Sequence, residues 1–405
     1  MALIFLHHVV GDLTVGKPDL VEFPESEPID SAVKAIANSS EAAIAVWRGR
    51  EKGEEARTSS PAARFVGVLT SLDVVAFLAR VGGDHQAAMR TAVSEVVVPN
   101  PGLLREVDPG TRLIDALEIM KQGVRRLLVR KSVAWKGMSK RFSIMYNGKW
   151  LRNTETSSAG TIINSGQPSS SALPDDKFCC LSREDVIRFL ICCLGALAPI
   201  PLSSISSLGA ITLNYSHIEA SSPALEALLR VPDDPRAIAV VETNPDGSHK
   251  IIGDISAYQL WKCDYLAAAW AMANISAGQF VIGSDENGTT PVSPSDFTIS
   301  STMEEFGVGA SPRPRKFSSR SIGFFSNLAS QISVGQLRSM YLGRSAPLTC
   351  KHTSSLAAVM AQLLSHRATH VWVTDANSED GILLGVIGFS GILNAVTKNV
   401  IPRTI

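Results

Sequence analysis

The 405-residue sequence lacks most of the marks that would assign an activity at once. It holds no Walker-type Gly-rich loop, no Gly-x-Ser-x-Gly elbow, no His-Glu-x-x-His helix and no kinase signature. No catalytic residues are therefore nominated. Net charge is missing too: Lys+Arg and Asp+Glu stand at 38 each, whereas nucleic-acid binders carry a basic surplus. The six cysteines (Cys179, Cys180, Cys192, Cys193, Cys263, Cys350) show no zinc spacing, and the eight histidines are scattered. Buried thiols in a reducing compartment are expected, with no metal site. Residues Met1 to Val10 are apolar but too short, and without basic residues, to read as a secretory signal. Long hydrophobic runs are also absent. The stretch from Phe189 to Leu202 carries Pro199 and Pro201, and that from Leu266 to Gly283 is interrupted by Asn274, Ser276 and Gln279. A membrane span needs about 20 strongly apolar residues, so both are expected to be buried helices.

What is present is apolar sequence in quantity, 45% of residues against 19% charged, enough for two or three domains with sizeable cores. One stretch organises it. Phe65-Val66-Gly67-Val68-Leu69-Thr70-Ser71-Leu72-Asp73 reads as a buried strand running without a loop into a helix. Thr70 and Asp73 have the spacing of a capping box, in which a hydroxyl and a carboxylate satisfy free helix N–H groups. The same corner, with its N–H groups and helix dipole, suits an anion. Both readings stay open at this point.

Recurrence raises the stakes, because a cap alone would not bring its surroundings with it. Upstream of the first copy lie a strand candidate at Pro18 to Phe23, a helix at Glu27 to Ile36 and a strand at Ala43 to Trp47. A second unit repeats this order: Leu103 to Val107, a helix through Leu113 and Met120, Arg126 to Val129, then Phe178-Cys179-Cys180-Leu181-Ser182-Arg183-Glu184-Asp185. A third has a helix at Ser222 to Leu229, a strand at Ala237 to Val241, and Gly253-Asp254-Ile255-Ser256-Ala257-Tyr258-Gln259. The fourth, introduced by Val334 to Leu337, has a strand at Leu348 to Cys350, a helix at Ser354 to Met360, a strand at His370 to Thr374, and Gly385-Val386-Ile387-Gly388-Phe389-Ser390-Gly391.

This pattern resembles the CBS domain, a strand-helix-strand-strand-helix unit ending in Gly-apolar-apolar-Thr/Ser-x-x-Asp/Asn. Only Gly67 to Asp73 matches that signature in full; Cys179 replaces its glycine in the second unit, Gln259 its acid in the third, and Gly388 and Gly391 its hydroxyl and acid in the fourth. Four-repeat plant CBSX proteins, and through them the γ subunit of AMP-activated and sucrose-non-fermenting kinases, are similar. The resemblance implies an α/β (α+β) fold of four CBS repeats paired into two Bateman modules. Residues 1–200 would hold repeat 1 (about 10–80) and repeat 2 (about 93–195, insert 136–177), and residues 201–405 repeat 3 (about 204–263) and repeat 4 (about 334–398, insert 284–333 before it). It also implies a non-catalytic regulator that binds AMP, ADP or ATP as a regulatory ligand, with no cofactor. The expected site is Gly67, Thr70, Asp73, Ser182 and Asp185 for ribose and phosphate, Arg125 and Arg126 for phosphate, and Ile44, Val46, Leu127 and Val129 for the base. Ser256 and Gln259 are weaker candidates in the second module, and His370 is expected to be structural.

Expected partners are a regulated protein, a protein kinase among the candidates, and a second copy of the chain; neither nucleic acid nor membrane is expected. The expected compartment is cytoplasmic or nuclear. A ligand-free scaffold and a kinase γ-like subunit are the alternatives. The two inserts, rich in Ser, Pro, Gly and Asn, are expected to be largely disordered, with Ser318 a phosphorylation candidate beside Arg313, Arg315 and Arg320.

Overall fold

A computed structural model describes residues 5, 7–39, 41–49, 60–82, 85–131, 144–146, 149–151, 177–261, 263–283, 346–378 and 381–398. Repeat 1 comprises β1 (Phe23–Pro24), α1 (Ile29–Asn38), β2 (Ala43–Trp47), β3 (Phe65–Thr70) and α2 (Ser71–Val81). Repeat 2 comprises β4 (Leu104–Val107), α3 (Leu113–Lys121), β5 (Arg126–Arg130), a hairpin of β6 (Ile144–Tyr146) and β7 (Lys149–Leu151), then β8 (Phe178–Ser182) and α4 (Arg183–Cys192). Repeat 3 contains β9 (His217–Glu219), β10 (Ala237–Thr243), β11 (His249–Ser256), α5 (Ala257–Leu260), α6 (Tyr265–Asn274) and α7 (Ala277–Ile282). Repeat 4 contains β12 (Thr349–Lys351), α8 (Leu356–His366), β13 (His370–Thr374), β14 (Leu383–Gly388) and α9 (Phe389–Thr397).

Each repeat builds one three-stranded sheet. Its middle strand (β2, β5, β10 or β13) pairs parallel with the first strand and antiparallel with the last. Successive residues of a strand point to opposite faces, and both faces of these middle strands are covered. One face meets another sheet. Ala43, Ala45, Trp47 and Val68 of repeat 1 join Leu104, Leu128 and Phe178 of repeat 2. Ala237, Ala239 and Val241 of repeat 3 join Trp372, Leu383 and Val386 of repeat 4. The other face meets helices, and there the partners change. Val46, Leu69 and Val75 share a core with Ile238, Ala268 and Met272, joining repeats 1 and 3. Leu127, Val129 and Ile187 share one with Val371, Val359 and Ile392, joining repeats 2 and 4. Each repeat therefore has one neighbour through its sheet and another through its helices.

Several elements differ from expectation. The strand candidate at Pro18 to Phe23 contracts to β1. The helix at Ser222 to Leu229 is a 3-10 segment, Ala224–Leu229; Pro223 precedes it, and Pro232 biases Val231 away from helix. The Ala-rich stretch is two helices, α6 and α7, broken where Ser276 caps α7. Among the described residues no helix is long and apolar enough to cross a membrane. The insert 136–177 includes the β6–β7 hairpin, although disorder was expected there. The insert 284–333, Ser318 and Val334 to Leu337 lie outside the described residues. All six thiols are free, but only Cys179 and Cys350 are buried, and Cys192 is exposed. Burial pushes Cys179 and Cys193 up to about 11 and Cys350 up to about 12, which keeps them protonated and unreactive.

Gly67 is explained by packing. A Cβ there would lie 2.7 Å from the Val98 carbonyl oxygen and 3.3 Å from Val97 Cγ2, beside the bond that Asn100 N–H donates to the Val66 carbonyl. The Gly67→Ala variant is expected to lose about 1–3 kcal/mol of stability, read as a lower urea midpoint at unchanged slope.

Candidate ligand site

The four strand-to-helix corners converge. Ser71, the first residue of α2, donates to the Ala257 carbonyl at the start of α5, 2.6 Å away. Across the cleft, the Arg183 guanidinium at the start of α4 lies over the Phe389 ring at the start of α9, 5.5 Å from its centroid. Between these pairs opens a cleft of about 720 Å³, including its solvent-filled mouth. Every repeat contributes to its wall: Thr70, Arg126, Arg236 and Arg367 come from repeats 1, 2, 3 and 4 in turn.

Five guanidinium groups line this cleft, those of Arg125, Arg126, Arg183, Arg236 and Arg367, against the carboxylates of Glu41, Glu184 and Asp234. Arg126 donates to Glu41 at 2.7 Å. Burial works most strongly against its charge, but Glu41, Cys180 and Asp185 together outweigh that and hold the group above its ordinary value. Arg183 forms a two-pronged pair with Asp234, at 2.7 and 3.0 Å. Arg236 donates to Asp73 Oδ1 at 2.6 Å, and Arg125 to the Asp233 carbonyl. Burial pushes the Arg125 guanidinium below its ordinary value, and repulsion from Arg183 adds to this. A bound anion would relieve that repulsion, and guanidinium forks suit phosphate oxygens. Burial also raises Glu184, against the opposing pull of Arg188.

The signature residues themselves form capping boxes. Thr70 N–H donates to Asp73 Oδ2 at 2.9 Å, and Asp73 N–H to Thr70 Oγ1 at 3.3 Å. Ser182 and Asp185 do the same at 2.8 and 3.3 Å. The Thr70 and Ser182 side chains line the cleft, while each aspartate also holds a cation, Arg236 on Asp73 and Lys17 on Asp185. In repeat 3, Ser256 caps α5, and Gln259 Nε2 donates to Asp254 Oδ1 at 3.1 Å. His370 is buried, its Nε2 3.4 Å from Asp254 Oδ2. In repeat 4, a Cβ on Gly391 would stand 2.3 Å from the Ala210 carbonyl oxygen; the acid position is filled by backbone.

Not every nominated residue reaches the cleft. Ile44, Val46, Leu127 and Val129, expected against a base, face the helices instead. Strand alternation is the reason: Ala43 and Val68, on the sheet-facing side, line the cleft. Gly67, Ser256 and Gln259 are likewise absent from its wall, and so are Asp73 and Asp185, which meet it only through their partners Thr70, Ser182 and Arg236. Conversely, Glu41, Arg183, Glu184, Asp234, Arg236 and Arg367 line the cleft without a place in the expected site, and Lys17, outside its wall, holds Asp185. Arg236 had a signal, since it precedes the residue paired with Ser256 as Arg125 precedes the residue paired with Ser182. Arg367 had none. It sits at the C-cap of α8 in the left-handed region, φ 55°.

No protein-family model matches the chain. It is 59% identical over 408 residues to CBS domain-containing protein CBSX6 of Arabidopsis thaliana, covering 98% of this chain and 95% of that one. It is 22% identical to SNF1-related protein kinase regulatory subunit gamma-like PV42b, also of Arabidopsis thaliana, covering 96% and 94% of the two chains. Among solved structures, a Methanocaldococcus jannaschii protein likened to g-AMPK matches 96% of this chain and 99% of its own, with a TM-score of 0.51 at 12% identity, a likeness of fold. The architecture is thus that of paired CBS repeats with a shared central cleft. The chain belongs to the family of CBS domain-containing proteins.

Arg367 offers a test of the cleft that spares the fold. A non-glycine residue in the left-handed region costs about 1–2 kcal/mol, close to what the cation–π contact with Trp261, 5.2 Å from the ring centroid, returns. The Arg367→Gly variant is expected to keep its urea stability within about 1 kcal/mol, while stabilisation of the thermal midpoint by pyrophosphate falls.

Proposed function

We propose that this protein is a non-catalytic regulator that binds an adenosine nucleotide, AMP, ADP or ATP, at the central cleft and so adjusts a partner protein. The carrying observation is the convergence of five guanidinium groups from three repeats beside the one complete signature, at Thr70 and Asp73. Phosphates would lie among Arg125, Arg183 and Arg236. The ribose hydroxyls would approach Asp73 from the side that Arg236 now occupies, so ligand and Arg236 exchange partners. That exchange gives the ligand a way to bias one arrangement of the repeats over another, which regulation requires. Likeness to a SNF1-related kinase gamma-like subunit supports a protein kinase as the partner.

A second reading has its own support. Both signature aspartates are already satisfied inside the chain, as they would be in a ligand-free scaffold. Calorimetry on the full chain with AMP, ADP and ATP separates the two. The regulator binds at least one of them, and Asp73→Ala weakens binding about 10–100-fold, as loss of one charge-assisted hydrogen bond of about 1.5–3 kcal/mol would. Folded protein that gives no heat with any of the three leaves the scaffold reading.

A further inference from the structure

The two complete-acid corners of the first module are not equivalent, and the difference lies in the segment that crosses each one. Leu20 N–H donates to the Phe178 carbonyl at 2.7 Å, and Asn100 N–H to the Val66 carbonyl at 2.8 Å. Phe178 and Val66 each precede the glycine position of their signature, held by Cys179 and Gly67. Counting back three residues from each donor, Lys17 at the second corner corresponds to Val97 at the first. Val97 is a buried core residue beside Gly67. Lys17 instead sends its ammonium onto the Asp185 carboxylate, where 13% of its side chain and 12% of the aspartate's remain exposed.

The segment bearing Lys17 is fastened down. Lys17 N–H donates to the Thr14 carbonyl at 3.0 Å. Lys131 Nζ donates to the Lys17 carbonyl at 2.5 Å and to Asp19 Oδ1 at 2.6 Å, and Lys177 stands 3.6 Å from Asp19. Asp185 Oδ2 accepts from Lys17 as well as from the Ser182 N–H and hydroxyl. With its charge neutralised by an ammonium held within the chain, this carboxylate is a poor acceptor for a ribose diol. At the first corner the corresponding cation, Arg236, arrives from repeat 3 and lines the cleft, where a phosphate can draw it away.

We infer that Lys17 closes the second corner, so that the first module takes one nucleotide, at Asp73, and Lys17 is the residue that sets this asymmetry. The inference rests on the nucleotide-binding reading of the cleft, and its test is a count of sites. Calorimetry and equilibrium dialysis with AMP on the full chain should give one site for the natural protein. The Lys17→Val variant, which copies the first corner, should give two, as should Lys17→Gln, which keeps a polar side chain. Adding Asp185→Ala to Lys17→Val should return the count to one. A Lys17 variant that folds, by circular dichroism, yet binds no more AMP than the natural protein overturns the inference, as does a natural protein that already fills two sites through Asp185. A natural protein that binds no AMP beside a Lys17→Val variant that binds one equivalent would refute the reading of the Asp73 corner while upholding the role of Lys17.

Discussion

The middle strand of each repeat is buried on both faces, and the rest of the architecture depends on that constraint. A strand with one wet face can end a fold; a strand with two apolar faces must find two neighbours. In β2, Ala43, Ala45 and Trp47 go to the sheet of repeat 2, while Ile44 and Val46 go to the helices shared with repeat 3. In β5, Leu128 goes one way and Leu127 and Val129 the other. Four such strands, each demanding one sheet and one set of helices, close on one another without leaving an apolar face over. The corners where strands become helices then meet at the middle, because every one of them ends a strand held on both sides.

That geometry explains the charge at the centre. Helix N-termini repel cations, yet four of them gather around five arginines. The arginines are held by acceptors from other repeats: Arg126 by Glu41, Arg183 by Asp234, Arg236 by Asp73. Each of these pairs ties one repeat to another, so the cleft is a junction of the fold as well as a site. Partly buried pairs of this kind add little net stability, while losing one partner costs more. On the proposed reading, a phosphate would compete for the same guanidinium groups and so couple what occupies the cleft to how the repeats are joined.

Much of this was legible in the sequence. The four units, the order of their strands and helices, and the hydroxyl-acid spacing that caps α2 and α4 all follow from local patterns. What was not legible was direction across space. The resemblance to CBS domains implies a base slot by the edge strands and so points to Ile44, Val46, Leu127 and Val129, but alternation decides which face an apolar residue serves, and in a strand buried on both faces the pattern of hydrophobicity does not say which is which. Arg183 and Asp234 are 51 residues apart, and nothing local links them. The 3-10 segment in repeat 3 and the division between α6 and α7 were decided by Pro223, Pro232 and Ser276, signals present in the chain but outvoted by helical periodicity.

The decay of the signature along the chain has a physical counterpart at each corner. Where repeat 4 has Gly391, the Ala210 carbonyl has moved into the space. Where repeat 3 has Gln259, an aspartate has appeared five residues earlier in the strand: Asp254 takes the amide of Gln259 on one oxygen and lies against His370 on the other. His370 pairs with Gly388 just as Arg126 pairs with Ser182, so the imidazole and the guanidinium hold matching positions in the two modules. In the first module the strand position matching Asp254 is Val68, which is apolar and lines the cleft, and Arg126 must look across to Glu41. In the second module the acid is built into the strand and the imidazole is buried against it. Where the signature acid is missing, Gln259 is thus bonded within the chain, while Asp254 Oδ2 keeps only the 3.4 Å approach of His370 and no hydrogen bond, at the cost that an unsatisfied buried polar atom carries. One corner back, Lys17 sits on Asp185, and Asp73, whose cation Arg236 also lines the cleft, is on the proposed reading the corner where an external anion would compete on the most even terms.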